Sequence, residues 1–228
     1  MIRPQSSRLS AFTLIELLTV IAVIGILAVI LIPTVSGVRE QAQRTAAASK
    51  LRKIHTAYTV YTADGPRARS IDATDIYDWA RRLAQEADFN DPQMYLLAED
   101  PLIEFEENLP VVVATPPASG GGDWTVHPAF AGFPLSFAVA NRLSSQAPAA
   151  TPLAWTRGLT AAGTWGEDGV YGPRGGHGLR VDGSVEFYED LGEDGGQLLD
   201  YRTKQPTGDL GDALGPDAHG LDHEGRVF

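Results

Sequence analysis

The stretch that decides the fold is FTLIELLTVIAVIGILAVILIP, which runs from Phe12 to Pro33. Before the proline it is 21 residues long, and only Thr13, Glu16 and Thr19 interrupt its apolar character. A helix of that length is about 30 Å long, which matches the hydrocarbon thickness of a bilayer. The stretch therefore predicts a membrane-spanning helix that carries one carboxylate near its start.

The charges that flank this stretch predict its orientation. Arg3 and Arg8 precede it without any acidic residue, and the next basic residue is Arg39. Positive residues favour the cytoplasmic side, so we expect the N-terminus in the cytoplasm and the bulk of the chain outside. An ordinary secretory signal peptide is the alternative, but its apolar core is only about 7–15 residues long.

Glu16 is the residue that a simple membrane anchor does not explain. Burying an acid in a bilayer costs about 2.5–3.5 kcal/mol at a helix centre and somewhat less near its end, unless a cation pairs with it. Cleavage of the chain between Ala11 and Phe12 would create such a cation, the free α-amine of Phe12. Glu16 of a neighbouring copy could pair with that amine, so the pattern predicts an assembly of helices.

The segment Ser-Ala-Phe-Thr-Leu-Ile-Glu, Ser10 to Glu16, follows a short basic leader and begins an apolar helix that Pro33 interrupts. This arrangement resembles the class III signal of type IV pilins and of type II secretion pseudopilins. The resemblance implies that a prepilin peptidase cuts between Ala11 and Phe12 and methylates the new amine, and that Glu16 is the assembly residue. The residue before the cut is usually Gly in that family, so Ala11 implies slower cleavage.

The same resemblance implies a domain organisation and a location. Residues 1–11 would be the leader peptide, and residues 12–63 the N-terminal pilin helix, with residues 12–32 crossing the membrane. Residues 64–228 would be an extracytoplasmic head with an acidic, Gly-rich C-terminal tail. The protein would lie in the inner membrane with its head in the periplasm, and would enter a filament after assembly.

The resemblance also implies partners. They are other copies or related pilin-like subunits, the prepilin peptidase, and an inner-membrane assembly platform. Pro33 is expected to kink the helix, because proline removes a backbone hydrogen bond. It marks either the membrane exit or a place where the helix melts on packing into a filament, and the sequence leaves both interpretations open.

Apolar residues with helical spacing continue after Pro33 until Asp64-Gly65-Pro66, a strong stop signal, so the helix is predicted to end near Ala63. The predicted buried face consists of Val38, Ala42, Thr45, Ala46, Ser49, Ile54, Ala57, Tyr58 and Tyr61. A second helix is predicted within residues 70–89, capped by Asp72 or Thr74. Its apolar face consists of Ile76, Trp79, Ala80, Leu83 and Ala87.

The rest of the chain is typical of strands separated by Gly- and Pro-rich loops. The predicted strands are Leu109–Ala114, Leu135–Ala140, Pro152–Thr156, Gly178–Val181 and Ser184–Tyr188. Asp182-Gly183 favours positive φ and predicts a β-hairpin between the last two. The order of elements predicts an α+β fold in which a long N-terminal helix packs on an antiparallel sheet.

A second resemblance lies in this hairpin. Gly176-His177, followed by Val-Asp-Gly-Ser-Val-Glu-Phe over residues 181–187, resembles the ending of pilin-like proteins from the Planctomycetes–Verrucomicrobia group. It supports a pilin-like head and implies no chemistry.

Composition excludes several functions. The 228-residue chain has a net charge of −11, which makes nucleic acid an unfavourable partner. It has no cysteine, so the fold must hold without disulfides.

His177, Asp182 and Ser184 crowd one hairpin without a nucleophile-elbow motif, so we predict no enzyme and expect His177 to be a turn residue.

Acidic residues recur among glycines from Glu189 onward. Calcium takes six to eight oxygen ligands, and this stretch resembles the C-terminal region in which major pseudopilins bind calcium. Asp190, Asp194 and Asp200 are the calcium candidates, although the EF-hand spacing is absent. A solvated acidic tail is the alternative, and no other cofactor is predicted.

The sequence thus predicts a structural subunit of a type II secretion pseudopilus or of a type IV pilus-like filament. The absence of cysteine favours the pseudopilus. The alternative is a membrane-anchored extracytoplasmic binding protein, in which Glu16 would have no role in assembly.

Overall fold

The computed structural model describes residues 13–63, 70–103, 109–118, 120–160, 162–193 and 196–226, and for residues 30–36 it describes the backbone alone. The chain forms two compact units, residues 1–44 and residues 45–228. The fold is α+β with a mostly antiparallel sheet, as predicted.

Helix α1 spans Leu14–Ala63, close to the predicted bounds, and the backbone is helical through Pro33. In the part of the chain that the structure describes, no helix is long and apolar enough to cross a membrane. The predicted span begins at Phe12, outside the described residues, and its end falls where side chains are not described. The predicted leader, residues 1–11, also lies outside the described residues.

The part of α1 in the second unit packs through one face. Its buried residues recur at intervals of three and four: Ala47, Leu51, Ile54, Tyr58 and Tyr61, with Ala57 beside them. The predicted face was wrong from residue 38 to residue 49: Val38, Ala42, Thr45, Ala46 and Ser49 are exposed, and Ala47 is buried. Small residues fill this stretch and give little hydrophobic contrast, so the position of Leu51 is the better guide to the buried face.

Helix α2 spans Ile76–Ala87 and begins at Asp75, whose side chain accepts a hydrogen bond from the amide of Asp78 at 2.8 Å. The predicted caps, Asp72 and Thr74, were wrong because the cap lies directly before the first apolar residue. The predicted apolar face is confirmed: Ile76, Trp79, Ala80 and Leu83 are buried, and Ala87 packs against the core.

The main sheet has five antiparallel strands: β3 Phe137–Asn141, β4 Pro152–Thr156, β5 Gly176–Arg180, β6 Val185–Tyr188 and β9 His219–Leu221. Their order across the sheet is β6-β5-β4-β3-β9. Two small ladders join β1 Ala114–Thr115 to β2 Thr125–Val126, and β7 Leu198–Leu199 to β8 Pro206–Thr207. Short 3-10 turns cover Pro92–Tyr95 and Gly172–Arg174, and helix α3 spans Leu210–Leu214.

The predicted strand Leu109–Ala114 was wrong, since only Ala114 belongs to a strand. Pro110 cannot donate to a ladder, and the amide of Val113 donates to the side chain of Asn90 at 3.0 Å. This segment is therefore fixed to the loop after α2.

The predicted hairpin is confirmed. Strands β5 and β6 pair in register from Gly176↔Tyr188 to Leu179↔Val185, and Gly183 in the turn has a φ of 85°. The turn contacts α1, where the Nε2 atom of His55 lies 2.9 Å from the carbonyl oxygen of Val181.

The C-terminal region is folded where the structure describes it, and most of its described acidic side chains are exposed or half-buried. Strand β9 pairs with β3 at the edge of the main sheet. Leucines among the acids supply the buried contacts: Leu191, Leu198, Leu210, Leu214 and Leu221.

Candidate assembly site

Helix α1 begins with a reciprocal pair of hydrogen bonds between Thr13 and Glu16. The backbone amide of Thr13 donates to Oε2 of Glu16 at 2.8 Å, and the amide of Glu16 donates to the hydroxyl of Thr13 at 3.3 Å. The hydroxyl also donates to Oε2 at 2.6 Å. This is a capping box, in which a Thr and the Glu three residues later satisfy each other's amides. The Thr-x-x-Glu spacing was visible in the sequence, but its capping role was missed.

The capping box uses one oxygen of the carboxylate. Among the described residues, both hydrogen bonds that Glu16 accepts from Thr13 end on Oε2. A carboxylate has two acceptor oxygens, and Glu16 is exposed. Glu16 can therefore cap its own helix and still receive a cation from another chain.

The helix surface around and after Glu16, from Leu14 to Val29, is mostly apolar and exposed. Exposed fractions of the large apolar residues in this stretch range from 47% at Val20 to 81% at Leu14. The others in the stretch are Ile15, Leu17, Leu18, Ile21, Val23, Ile24, Ile26, Leu27 and Val29. Exposure of so much apolar surface to water is unfavourable.

The other predicted processing residues cannot be located. Ala11 and Phe12 lie outside the described residues, as does the side chain of Pro33. The structure thus brings together Thr13 and Glu16, and the cleavage and methylation at Phe12 stay predictions.

The calcium candidates organise their own loops. Oδ1 of Asp190 accepts the amide of Gly192 at 2.7 Å, and Oδ1 of Asp200 accepts the amides of Arg202 and Thr203. These bonds, led by that from Thr203, hold the pKa of Asp200 below its usual range. Asp194 lies outside the described residues, and within them no group of three or more acidic, His or Cys side chains could hold a metal. Calcium binding stays a prediction.

The prediction that His177 is a turn residue was wrong. It lies in β5, 4% exposed, with ring centroids 5.6 Å from Tyr171 and 5.0 Å from Phe187. The hydroxyl of Ser184 donates to Asp182 at 2.6 Å and lowers the pKa of that acid. A hydroxyl bonded to the acid does not form a nucleophile–base–orienter chain.

A buried ion pair was missed by the sequence reasoning. Arg157 is 1% exposed, donates through Nη2 to the carboxylate of Asp100, and donates through Nη1 to the backbone oxygen of Asp168. The only sequence signal is a charged residue that follows the apolar segment of β4. The partner lies 57 residues away, which no local pattern reveals.

Comparison with protein families, with curated proteins and with solved structures gives no match for this chain.

Proposed function

We propose that this protein is a structural subunit of a pilus-like filament, and that it lies in the inner membrane before assembly. The observation that carries the proposal is Glu16, an exposed acid at the start of an otherwise apolar helix surface. The resemblance of Ser10 to Glu16 to the class III signal supports it. Among such filaments, the lack of cysteine favours a type II secretion pseudopilus over a surface pilus.

In the proposed mechanism, the apolar surface of α1 has two different surroundings in turn. Lipid covers the apolar residues of α1 while the subunit lies in the membrane, and α1 of neighbouring subunits covers them in the filament. A prepilin peptidase cuts before Phe12, and the amine of Phe12 then pairs with Glu16 of a neighbour. Surroundings of low dielectric constant strengthen the attraction between these charges relative to water.

The capping box gives Glu16 a second role, which the test must separate from assembly. A Glu16→Gln change keeps an acceptor for the amide of Thr13 and removes the charge. A Thr13→Ala change removes the hydroxyl of the box and keeps the charge. If the charge carries assembly, Glu16→Gln abolishes filaments and Thr13→Ala permits them.

The measurement is the amount of subunit in filaments sheared from cells that produce the assembly platform. Membrane fractionation is the control, and each variant should remain in the membrane. Glu16→Ala, which lacks both roles, should fail like Glu16→Gln. Normal incorporation of Glu16→Gln would show that Glu16 only caps its helix, and would favour a membrane-anchored extracytoplasmic binding protein.

A further inference from the structure

The last described residues form a compact turn, Asp222–Arg226, which we name the C-terminal clasp. Oδ1 of Asp222, a buried side chain, accepts the amide of Glu224 at 3.0 Å and the amide of Arg226 at 2.9 Å. The clasp directly follows β9, whose three residues pair with β3 at the sheet edge.

The clasp is attached to the buried ion pair of the head. Arg226 donates to the carboxylate of Asp168 at 2.7 Å, and the backbone oxygen of Asp168 accepts from Arg157. Arg157 in turn pairs with Asp100. The clasp is therefore linked through Asp168 to the buried guanidinium that binds Asp100.

His223 lies inside this junction. Its side chain is 11% exposed, and its Nε2 atom lies 3.9 Å from a carboxylate oxygen of Glu224. Among the described residues, its buried Nδ1 atom has no hydrogen-bond partner. The charged groups acting on it are Arg157 and Asp100 from other segments, and Asp222 and Glu224 from the clasp.

We propose that the clasp opens at acidic pH. Protonation of His223 detaches residues 219–226 from β3 and leaves the rest of the head folded.

A neutral imidazole suits this position better than a charged one. Protonation would place a further cation near buried Arg157, at a site where water solvates it poorly. Burial and the charge of Arg157 outweigh the nearby acids and lower the pKa of His223 below its usual range. The docked state is therefore fully stable above about pH 6.5, the ordinary pKa of His, and loses stability as the pH falls from there toward the lowered value.

The release is expected to stay local. Strand β9 has only three residues and pairs on one side alone, so few hydrogen bonds must break for it to open. Strand β3 has a second attachment, because the side chain of Asn141 exchanges two 2.9 Å hydrogen bonds with the backbone of Ala73, besides its 3.2 Å contact with Nε2 of His219 in β9. Strand β3 can thus keep its place without β9.

The test is hydrogen exchange of the full chain in detergent micelles at about pH 7.5 and about pH 5, which bracket the His titration. The exchange rates are expressed as protection factors, so that the pH dependence of the intrinsic exchange rate does not enter the comparison. Peptides covering 219–226 should lose protection by up to about tenfold per pH unit, while β4 stays protected. His223→Gln should abolish this pH dependence. His219→Gln removes the imidazole of β9 that contacts Asn141, so it can change protection at both pH values but should keep the pH dependence.

Three results would overturn the proposal. They are equal protection of 219–226 at both pH values, loss of protection throughout β4, or an unchanged pH dependence in His223→Gln. If His223→Gln does not fold, Arg226→Gln replaces it as a probe. That change removes the contact with Asp168, so it should lower protection at both pH values and retain the pH dependence; unaltered protection would contradict the clasp. The test uses unassembled protein, so its outcome is independent of the filament proposal.

Discussion

At the residue scale, Gly176 shows how closely the sheet packs. A Cβ atom there would lie 2.2 Å from Oγ1 of Thr156 and 2.2 Å from Nε1 of Trp165. We expect Gly176→Ala to lower the free energy of unfolding by about 1–3 kcal/mol, the usual cost of overpacking. Gly178→Ala on the same strand would meet only the edge of the Tyr188 ring, at 3.0 Å, and should cost less. Denaturant titration of both variants measures the difference, and equal costs would contradict this packing.

The buried pair of Arg157 and Asp100 makes a second prediction. Arg157→Met should cost about 3–5 kcal/mol of unfolding free energy, because it leaves the carboxylate of Asp100 buried without its cation. Adding Asp100→Asn should recover part of that loss. A double-mutant cycle by chemical denaturation tests the coupling, and strictly additive costs would mean that the pair does not interact.

Single residues were predictable where their signal is local. Glu16 was recognised because an acid inside an apolar segment has a high free-energy cost, and Asp182-Gly183 predicted a turn. The Thr13 cap of α1 was equally local and was overlooked. The role of Arg157 could not be predicted, because it depends on Asp100 and Asp168, which only the fold brings next to it.

At the element scale, Leu51 defines which face of α1 is buried. Leu51→Ala should cost about 2–5 kcal/mol through lost burial and a residual cavity. Ser49→Ala, two positions earlier on the exposed side, should change stability by no more than about 0.5 kcal/mol. Thermal unfolding of the two variants checks the assignment. A larger loss for Ser49→Ala would show that the originally predicted face was right.

Secondary-structure elements could be predicted from the sequence when the pattern that defines them is local. The β5–β6 hairpin and the apolar face of α2 have clear periodicity and turn signals. Strand β9 has three residues, His219–Leu221, and pairs with a strand about 80 residues earlier in the chain. It could not be predicted from the sequence, because it is too short to show an alternating pattern and its partner is distant. Leu109–Ala114 failed for the opposite reason, because its apolar composition suggested a ladder that Pro110 cannot join.

At the scale of the whole molecule, the second unit contains the buried core. The buried residues of the described structure begin at Ala47 and extend to Asp222. We therefore expect residues 45–228 to fold without the first 44 residues. Circular dichroism should show the same thermal transition for this fragment and for the full chain in the same detergent. A fragment without a cooperative transition would show that the first unit is needed for folding.

The α+β class could be predicted because it needs only the order of elements along the chain. The central functional claim depends on the first sixteen residues, and its strongest single test is chemical. We would determine the intact mass of the protein extracted from membranes of cells that contain a prepilin peptidase. The filament proposal predicts a chain that begins at Phe12 and is heavier by one methyl group. A full-length chain would contradict it and leave a tethered binding protein as the better account, and a chain that begins near Val38 would identify an ordinary signal peptide.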